Sequence, residues 1–111
     1  LVNDFFLLAD AEKIILSDAE SVLLKVRQKR IAKKIHPRTL LITDRQIAIF
    51  SPVWFGYAVD SYGYGIIQDV HTNRTMRSSD VKLQTSLGVI SIDGLPRSAG
   101  DKVVGAIRSK L

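Results

Sequence analysis

The chain contains no cysteine. That absence removes disulfide frameworks, thiolate zinc and iron–sulfur sites, and cysteine nucleophiles together, and it fits a reducing, cytoplasmic compartment. Long apolar runs are missing too. The longest, Phe5 to Ala9, falls far short of the roughly 20 residues that a membrane-spanning helix needs, and no basic-then-apolar leader pattern is visible. Histidine is scarce: His36 and His71 stand 35 residues apart, with no HxxxH, CxxC or clustered carboxylate to complete a ligand set. Both read as surface residues, and neither a metal nor any other cofactor is expected.

What remains is ordinary globular material of single-domain size: 111 residues, 46% hydrophobic and 24% charged, with a formal net charge of +5. The charge is unevenly laid out. Residues 1–20 hold Asp4, Asp10, Glu12, Asp18 and Glu20 against Lys13, a net of −4. Residues 21–38 hold Lys25, Arg27, Lys29, Arg30, Lys33, Lys34 and Arg38 with no acid, a net of +7. The basic character is therefore one local patch, able to attract an anionic surface or to face the acidic segment before it.

Periodicity divides the chain into three regimes. Phe5, Phe6, Leu8, Ala9, Ile15 and Leu16 recur loosely at helical spacing, which predicts a short amphipathic helix over residues 5–16, followed by a turn at Ser17–Glu20. From there the pattern shortens to strand length. Seven strands are predicted: Ser21–Lys29, Arg38–Thr43, Gln46–Ser51, Tyr57–Ser61, Ile66–Thr72, Asp80–Thr85 and Val89–Asp93. In the first, Val22, Leu24 and Val26 alternate against Leu23, Lys25 and Arg27. The sixth alternates most cleanly, Val81, Leu83 and Thr85 against Lys82, Gln84 and Ser86, so one of its faces is expected to be wet. Thr43-Asp44-Arg45-Gln46 predicts a tight hairpin, Arg77–Asp80 a second, and Gly88 supplies a residue free to take positive φ. Finally Ser98 and Asp101 fit a helix start, with Ser98 accepting from a free N–H. Val103, Val104, Ile107 and Leu111 then lie on one helical face.

Seven strands closed by one amphipathic helix is the pleckstrin-homology (PH) order, and particular residues sharpen the likeness. Leu40–Phe50 resembles the strand–Thr-Asp/Asn-Arg–strand hairpin of prokaryotic PH-like domains. Val59-Asp60, Tyr64, Ile67 and Asp69-Val70 resemble the tyrosine-containing turn before the fifth strand. Val89–Gly94 and the helix from Ser98 resemble the closing strand and capping helix. The resemblance spans Glu20 to Leu111. It implies a mainly β (α+β) fold: a seven-stranded, bent antiparallel barrel or sandwich capped by a C-terminal helix. Residues 20–111 form that domain, and residues 1–19 are an extra N-terminal helical extension. OB-fold and Sm-like barrels compete, but these have five strands as a rule, and their helix is not last.

Two groups of residues are candidate binding sites. The first is the basic run Lys25, Arg27, Lys29, Arg30, Lys33, Lys34 and Arg38, as an anion- or lipid-binding surface. In lipid-binding PH domains a first-strand lysine works with a basic-x-Arg pair on the second strand. Here Lys25-Val26-Arg27 is present, but the second strand opens Arg38-Thr39-Leu40 and lacks the pair. A looser electrostatic role at an anionic membrane remains, at about 1 kcal/mol per basic residue, and would place the protein peripherally at the inner face. The second group is Phe5, Phe6, Trp54 and Phe55, as a partner interface, set against the alternative that these aromatics are core or a flap over the barrel. Nucleic acid is less favoured, because no aromatic is interleaved among the basic residues to stack a base. Tyr62-Gly63-Tyr64-Gly65 lacks the spacing of a phosphate loop. No serine stands in a nucleophile-elbow pattern, and Asp60 and Asp69 would serve as acid and base only within a cleft. No enzyme and no small-molecule substrate are read. The expectation is a non-catalytic interaction module for protein contact or self-association, with anionic lipid as the alternative.

Overall fold

The computed structural model describes residues 20–28, 37–53 and 56–111. Within them lie seven strands and one helix, in the order β1 (Val22–Arg27), β2 (Thr39–Thr43), β3 (Gln46–Val53), β4 (Gly56–Gly63), β5 (Ile67–Arg74), β6 (Ser78–Thr85), β7 (Gly88–Pro96) and α1 (Ala99–Arg108). A single 3-10 turn at Tyr64–Ile66 joins β4 to β5. The strands form two antiparallel sheets, β1-β2-β3-β4 and β5-β6-β7. This is the PH-like arrangement of strands and C-terminal helix. The predicted helix over residues 5–16 lies outside the described residues.

The core fills the space between the sheets and under α1. Val26, Leu40, Ile42, Ile47 and Ile49 of one sheet meet Val70, Val81, Leu83, Ile92 and Leu95 of the other, with Val103, Val104 and Ile107 of α1 above them. Leu40-Leu41-Ile42 and Ile47-Ala48-Ile49-Phe50 carry apolar residues at successive positions for a physical reason. All seven are buried, so β2 and β3 are dry on both faces, and a strand dry on both faces has no wet side to alternate with. β6 shows the opposite case, with Val81, Leu83 and Thr85 buried and Lys82 and Gln84 exposed.

Turn chemistry fixes the register. Three hairpins begin with a threonine whose hydroxyl oxygen accepts backbone N–H groups of its own turn. Thr43 accepts from Arg45 at 3.1 Å and Gln46 at 3.0 Å. Thr75 accepts from Ser78 at 3.1 Å, and Thr85 from Leu87 at 3.1 Å. Gly88 has φ of +124°, the positive value that the β6–β7 turn requires.

The structure corrects several expectations. A bulge between Val22 and Leu24 inserts one residue into β1, so Val22 faces away from Leu24 and Val26 rather than sharing their face. The β5–β6 hairpin turns at Thr75–Arg77, because Ser78–Asp80 already pair with β7 or β5 as part of β6. Ser98 sits in the αR region and makes no side-chain cap hydrogen bond, while Asp101 pairs with Arg74. The helix start is instead held from the sheet, where the Gly100 N–H donates to the Ser79 hydroxyl at 3.0 Å. A Cβ on Gly100 would lie 2.8 Å from Ser79 side-chain atoms, so this approach requires glycine. Leu111 is exposed, because α1 ends at Arg108 and the helical face does not reach it.

Candidate functional site

Three regions of the four-stranded sheet hold the candidate residues: the end where β1 leaves, the opposite end at the β2–β3 hairpin, and the edge strand β4. At the first, Gln28 closes the base of the following connection. Its N–H donates to the Arg38 carbonyl at 2.8 Å, the Arg38 N–H donates back to the Gln28 side-chain oxygen at 3.1 Å, and the Gln28 amide donates to the Asp93 carbonyl of β7 at 2.5 Å. The pairing of Arg27 with Thr39, and of Thr39 with Phe50, sets the end of β1 level with the far part of β3. β3 then runs on to Val53, and β4 returns from Gly56. Residues 28–38 and 54–55 therefore connect strands at the same end of the sheet.

Of the predicted basic patch, Lys25, Arg27 and Arg38 are described. Lys25 lies opposite Leu41 and Arg27 opposite Thr39, which puts both on the face directed away from the core. Arg27 is exposed, whereas Lys25 and Arg38 are half-buried. Lys29, Arg30, Lys33 and Lys34 lie outside the described residues, as do Phe5, Phe6, Trp54, Phe55 and His36.

The opposite end holds a polar network that sequence reasoning missed. Glu20, read as the end of a turn, is 3% exposed. Its carboxylate accepts from the Thr43 hydroxyl and, at 3.0 Å, from the Gln46 side-chain amide. Gln46 in turn accepts from the Ser61 hydroxyl of β4 at 2.7 Å. Asp44 clips the start of β1, accepting from the Ser21 N–H at 3.0 Å while its own N–H donates to the Ser21 carbonyl at 3.0 Å. The Tyr64 hydroxyl donates to the Thr43 carbonyl. Burial first, then the nearby Asp44 and Glu20 carboxylates, push the Tyr64 phenol up to about 12. The resemblance had singled out the Thr43-Asp44-Arg45 turn and Tyr64 separately, and the fold brings them together. A lone glutamate before the first strand carried no signal of its burial.

β4 is one edge strand of the four-stranded sheet, and β1 is the other. All eight of its residues are exposed except Tyr62, which is half-buried, and it pairs with β3 from Val53–Gly56 to Gln46–Gly63 with no bulge. Tyr57 is 55% and Val59 39% exposed. Among the described residues no strand pairs with its far edge. Asp60 and Asp69 stand exposed on different sheets. His71 is exposed. No described group of three or more His, Cys, Asp or Glu residues is placed to hold a metal. No helix among the described residues is long and apolar enough to cross a membrane. An open concavity of about 340 Å³ beside the start of α1 is lined by Arg74, Arg97 and Ser98. Both guanidinium groups there are engaged, Arg74 with Asp101 and Arg97 with the Thr75 carbonyl at 3.2 Å.

Comparison with known proteins agrees with this architecture. A DUF1696 family protein with a pleckstrin-homology domain from Shewanella loihica PV-4 superposes with a TM-score of 0.64 at 17% identity, covering 89% of each chain. The C-terminal domain of an unknown protein from Leishmania infantum superposes with a TM-score of 0.61 at 18% identity, covering 82% of this chain and 84% of that one. At such identities the likeness is one of fold. No curated protein matches the chain. The sequence model of the bacterial PH domain matches residues 16–109, from just before the buried Glu20 to just past the end of α1, and the chain therefore belongs to the bacterial PH domain family.

Proposed function

We propose that this domain is a non-catalytic interaction module that makes protein contacts through β4, above all with a second copy of itself. The observation that carries this reading is the far edge of β4, with which no strand among the described residues pairs. Natural sheets blunt their edges with proline, charged side chains, bulges or very short strands. β4 carries little of this: Gly56–Gly63 has eight residues, no proline and no lysine, and Asp60 is its one charge. Such an edge offers free backbone donors and acceptors to an incoming strand, while Tyr57 and Val59 add apolar area to the contact. Two β4 edges meeting antiparallel satisfy each other and close a two-fold dimer.

Light scattering of the full chain after gel filtration, over a range of concentrations, tests this. The unmodified protein should self-associate as concentration rises. Tyr57→Lys with Val59→Lys should leave a folded monomer, since both side chains are already exposed. A monomer at every concentration for the unmodified chain overturns the self-association reading.

One observation favours a second reading, in which the domain rests on an anionic membrane. The β1–β2 and β3–β4 connections leave the sheet at one end, and in sequence the first carries Lys29, Arg30, Lys33 and Lys34 and the second Trp54-Phe55. Basic residues with interfacial aromatics are the composition of a peripheral membrane contact. Co-sedimentation with neutral and anionic vesicles at low and physiological salt decides it. Salt-sensitive binding to anionic vesicles alone, lost when Lys25, Lys29, Lys33 and Lys34 are changed to Glu, supports the reading. Binding unchanged by those substitutions rejects it.

A further inference from the structure

At the end of the three-stranded sheet away from the 3-10 turn, β5 closes at Arg74 and β7 gives way to α1. Between them lies the open concavity of about 340 Å³ lined by Arg74, Arg97 and Ser98. All three side chains can donate a hydrogen bond, and none is acidic.

The two arginines brace this concavity in opposite directions. Arg74 reaches from β5 to α1, where one of its terminal nitrogens meets the Asp101 carboxylate. Arg97 reaches back from the start of α1 to the turn after β5, where its Nε–H donates to the Thr75 carbonyl at 3.2 Å. Each contact uses one nitrogen of a guanidinium that carries five N–H donors. Among the described residues no other acceptor meets either group, and no carboxylate pairs with Arg97. The anchors therefore hold both planar forks in place without saturating them, which lowers the ordering cost of a ligand that takes the remaining donors. Ser98 adds a hydroxyl that makes no cap hydrogen bond. Ser78 pairs with Pro96, so Arg77 flanks Arg97 at this end of the sheet and keeps the surroundings positive.

We propose that this concavity binds a phosphate monoester, held by the terminal N–H groups of Arg97, the remaining donors of Arg74 and the Ser98 hydroxyl. A guanidinium fork matches two oxygens of a phosphate, and two forks set on different elements suit a tetrahedral group better than a planar carboxylate. The volume lies at the small end of the roughly 300–1,000 Å³ of small-molecule sites, which leaves room for a phosphate and a short organic group. The positive end of the α1 dipole adds charge of the same sign. The site stands on the other sheet from β4, so it does not depend on self-association through that edge.

Titration of the full chain with glycerol phosphate, followed by NMR shifts at physiological salt, tests the proposal. Saturable shifts are expected at the Arg74 and Arg97 Nε–H groups and at the Ser98 and Ala99 amides. Arg97→Gln, an exposed position, should raise the dissociation constant about tenfold or more by removing charge-assisted hydrogen bonds. Arg97→Lys keeps the charge but loses the fork, and should also bind more weakly than the unmodified chain. An affinity unchanged by both substitutions overturns the proposal, as do equal shifts from acetate at the same concentration, which would reduce the site to general charge attraction. A second arm uses vesicles containing phosphatidic acid, whose headgroup is itself a phosphate monoester. Binding to those vesicles that Arg97→Gln abolishes, with no response to glycerol phosphate, supports the site and assigns its ligand to lipid. No response to glycerol phosphate and no Arg97-dependent binding to the vesicles overturns it.

Discussion

The Tyr64 hydroxyl donates its hydrogen to the carbonyl oxygen of Thr43, across 21 residues of sequence. Tyr64 opens the 3-10 turn that carries the chain from one sheet to the other, and Thr43 opens the β2–β3 hairpin. The bond therefore pins the crossover between sheets to the end of the larger one. Around it, Glu20 and Gln46 add the start of β1, and Ser61 adds β4. One polar cluster thus ties β1, β2, β3, β4 and the crossover at a single end of the sandwich.

Replacing Tyr64 with Phe keeps the ring and removes the donor. A net hydrogen bond contributes about 1 kcal/mol, so the denaturant midpoint should fall by that equivalent, with the slope of the transition unchanged. A Tyr64→Phe variant as stable as the unmodified chain would remove the bond from the account of stability.

The raised Tyr64 pKa makes stability depend on alkaline pH with a definite sign. The phenol ionises near its ordinary value of 10 when unfolded and at about 12 when folded. Between those values the folded state holds a proton that the unfolded state has lost, so stability must fall as pH rises. The contribution is whole below about pH 10 and fades up to about pH 12. Tyr62 is also raised, by partial burial and then by Asp60, so Tyr64→Phe should flatten the decline without abolishing it. Phenolate absorbance, followed beside unfolding midpoints, checks both statements.

Two helix glycines should respond in opposite directions to alanine. At Gly100 the added methyl meets Ser79 and Thr72 side-chain atoms, so overpacking by about 1–3 kcal/mol outweighs a helix-propensity gain of about 1 kcal/mol, and thermal stability drops. At Gly105 nothing lies within 4 Å of the new methyl. There the propensity gain of about 0.5–1 kcal/mol acts alone. Paired calorimetry of the two variants measures the contrast.

Glu20→Ala should destabilise by about 1–3 kcal/mol, because it strips the acceptor from two polar groups at a buried position. Its effect should not add to that of Tyr64→Phe, since Thr43 bonds to both. A double-mutant cycle measured by chemical unfolding checks the coupling, and simple additivity would separate the two contacts.

The strands were legible because their signal is local. β6 alternates along its length, and the Thr43-Asp44-Arg45 turn interrupts two apolar runs. The C-terminal helix declared its buried face through Val103, Val104 and Ile107. What stayed hidden depends on residues far apart in sequence. Gly100 looked like any helix glycine until Ser79 and Thr72 were brought against it. The β1 bulge reverses Val22 by geometry rather than by composition. The burial of Glu20 follows from partners 23 and 26 residues away. The β4 edge was invisible for a related reason, since a strand's sequence does not state whether it has one neighbour or two. Of the predicted sites, only Lys25, Arg27 and Arg38 acquired a position, and the first two sit on the outer sheet face.

The three threonine-closed hairpins also bear on the order in which the chain folds. Each hydroxyl contact closes a turn of four residues, so its loop-closure entropy is small and it can form within microseconds. The bonds from Tyr64 to Thr43 and from Gln28 to Asp93 span 21 and 65 residues and must wait for the sheets to meet. Substitutions at Thr75 and Thr85 therefore belong to the folding rate, those at Tyr64 and Gln28 to the unfolding rate, and Thr43, whose hydroxyl also bonds Glu20 across 23 residues, to both.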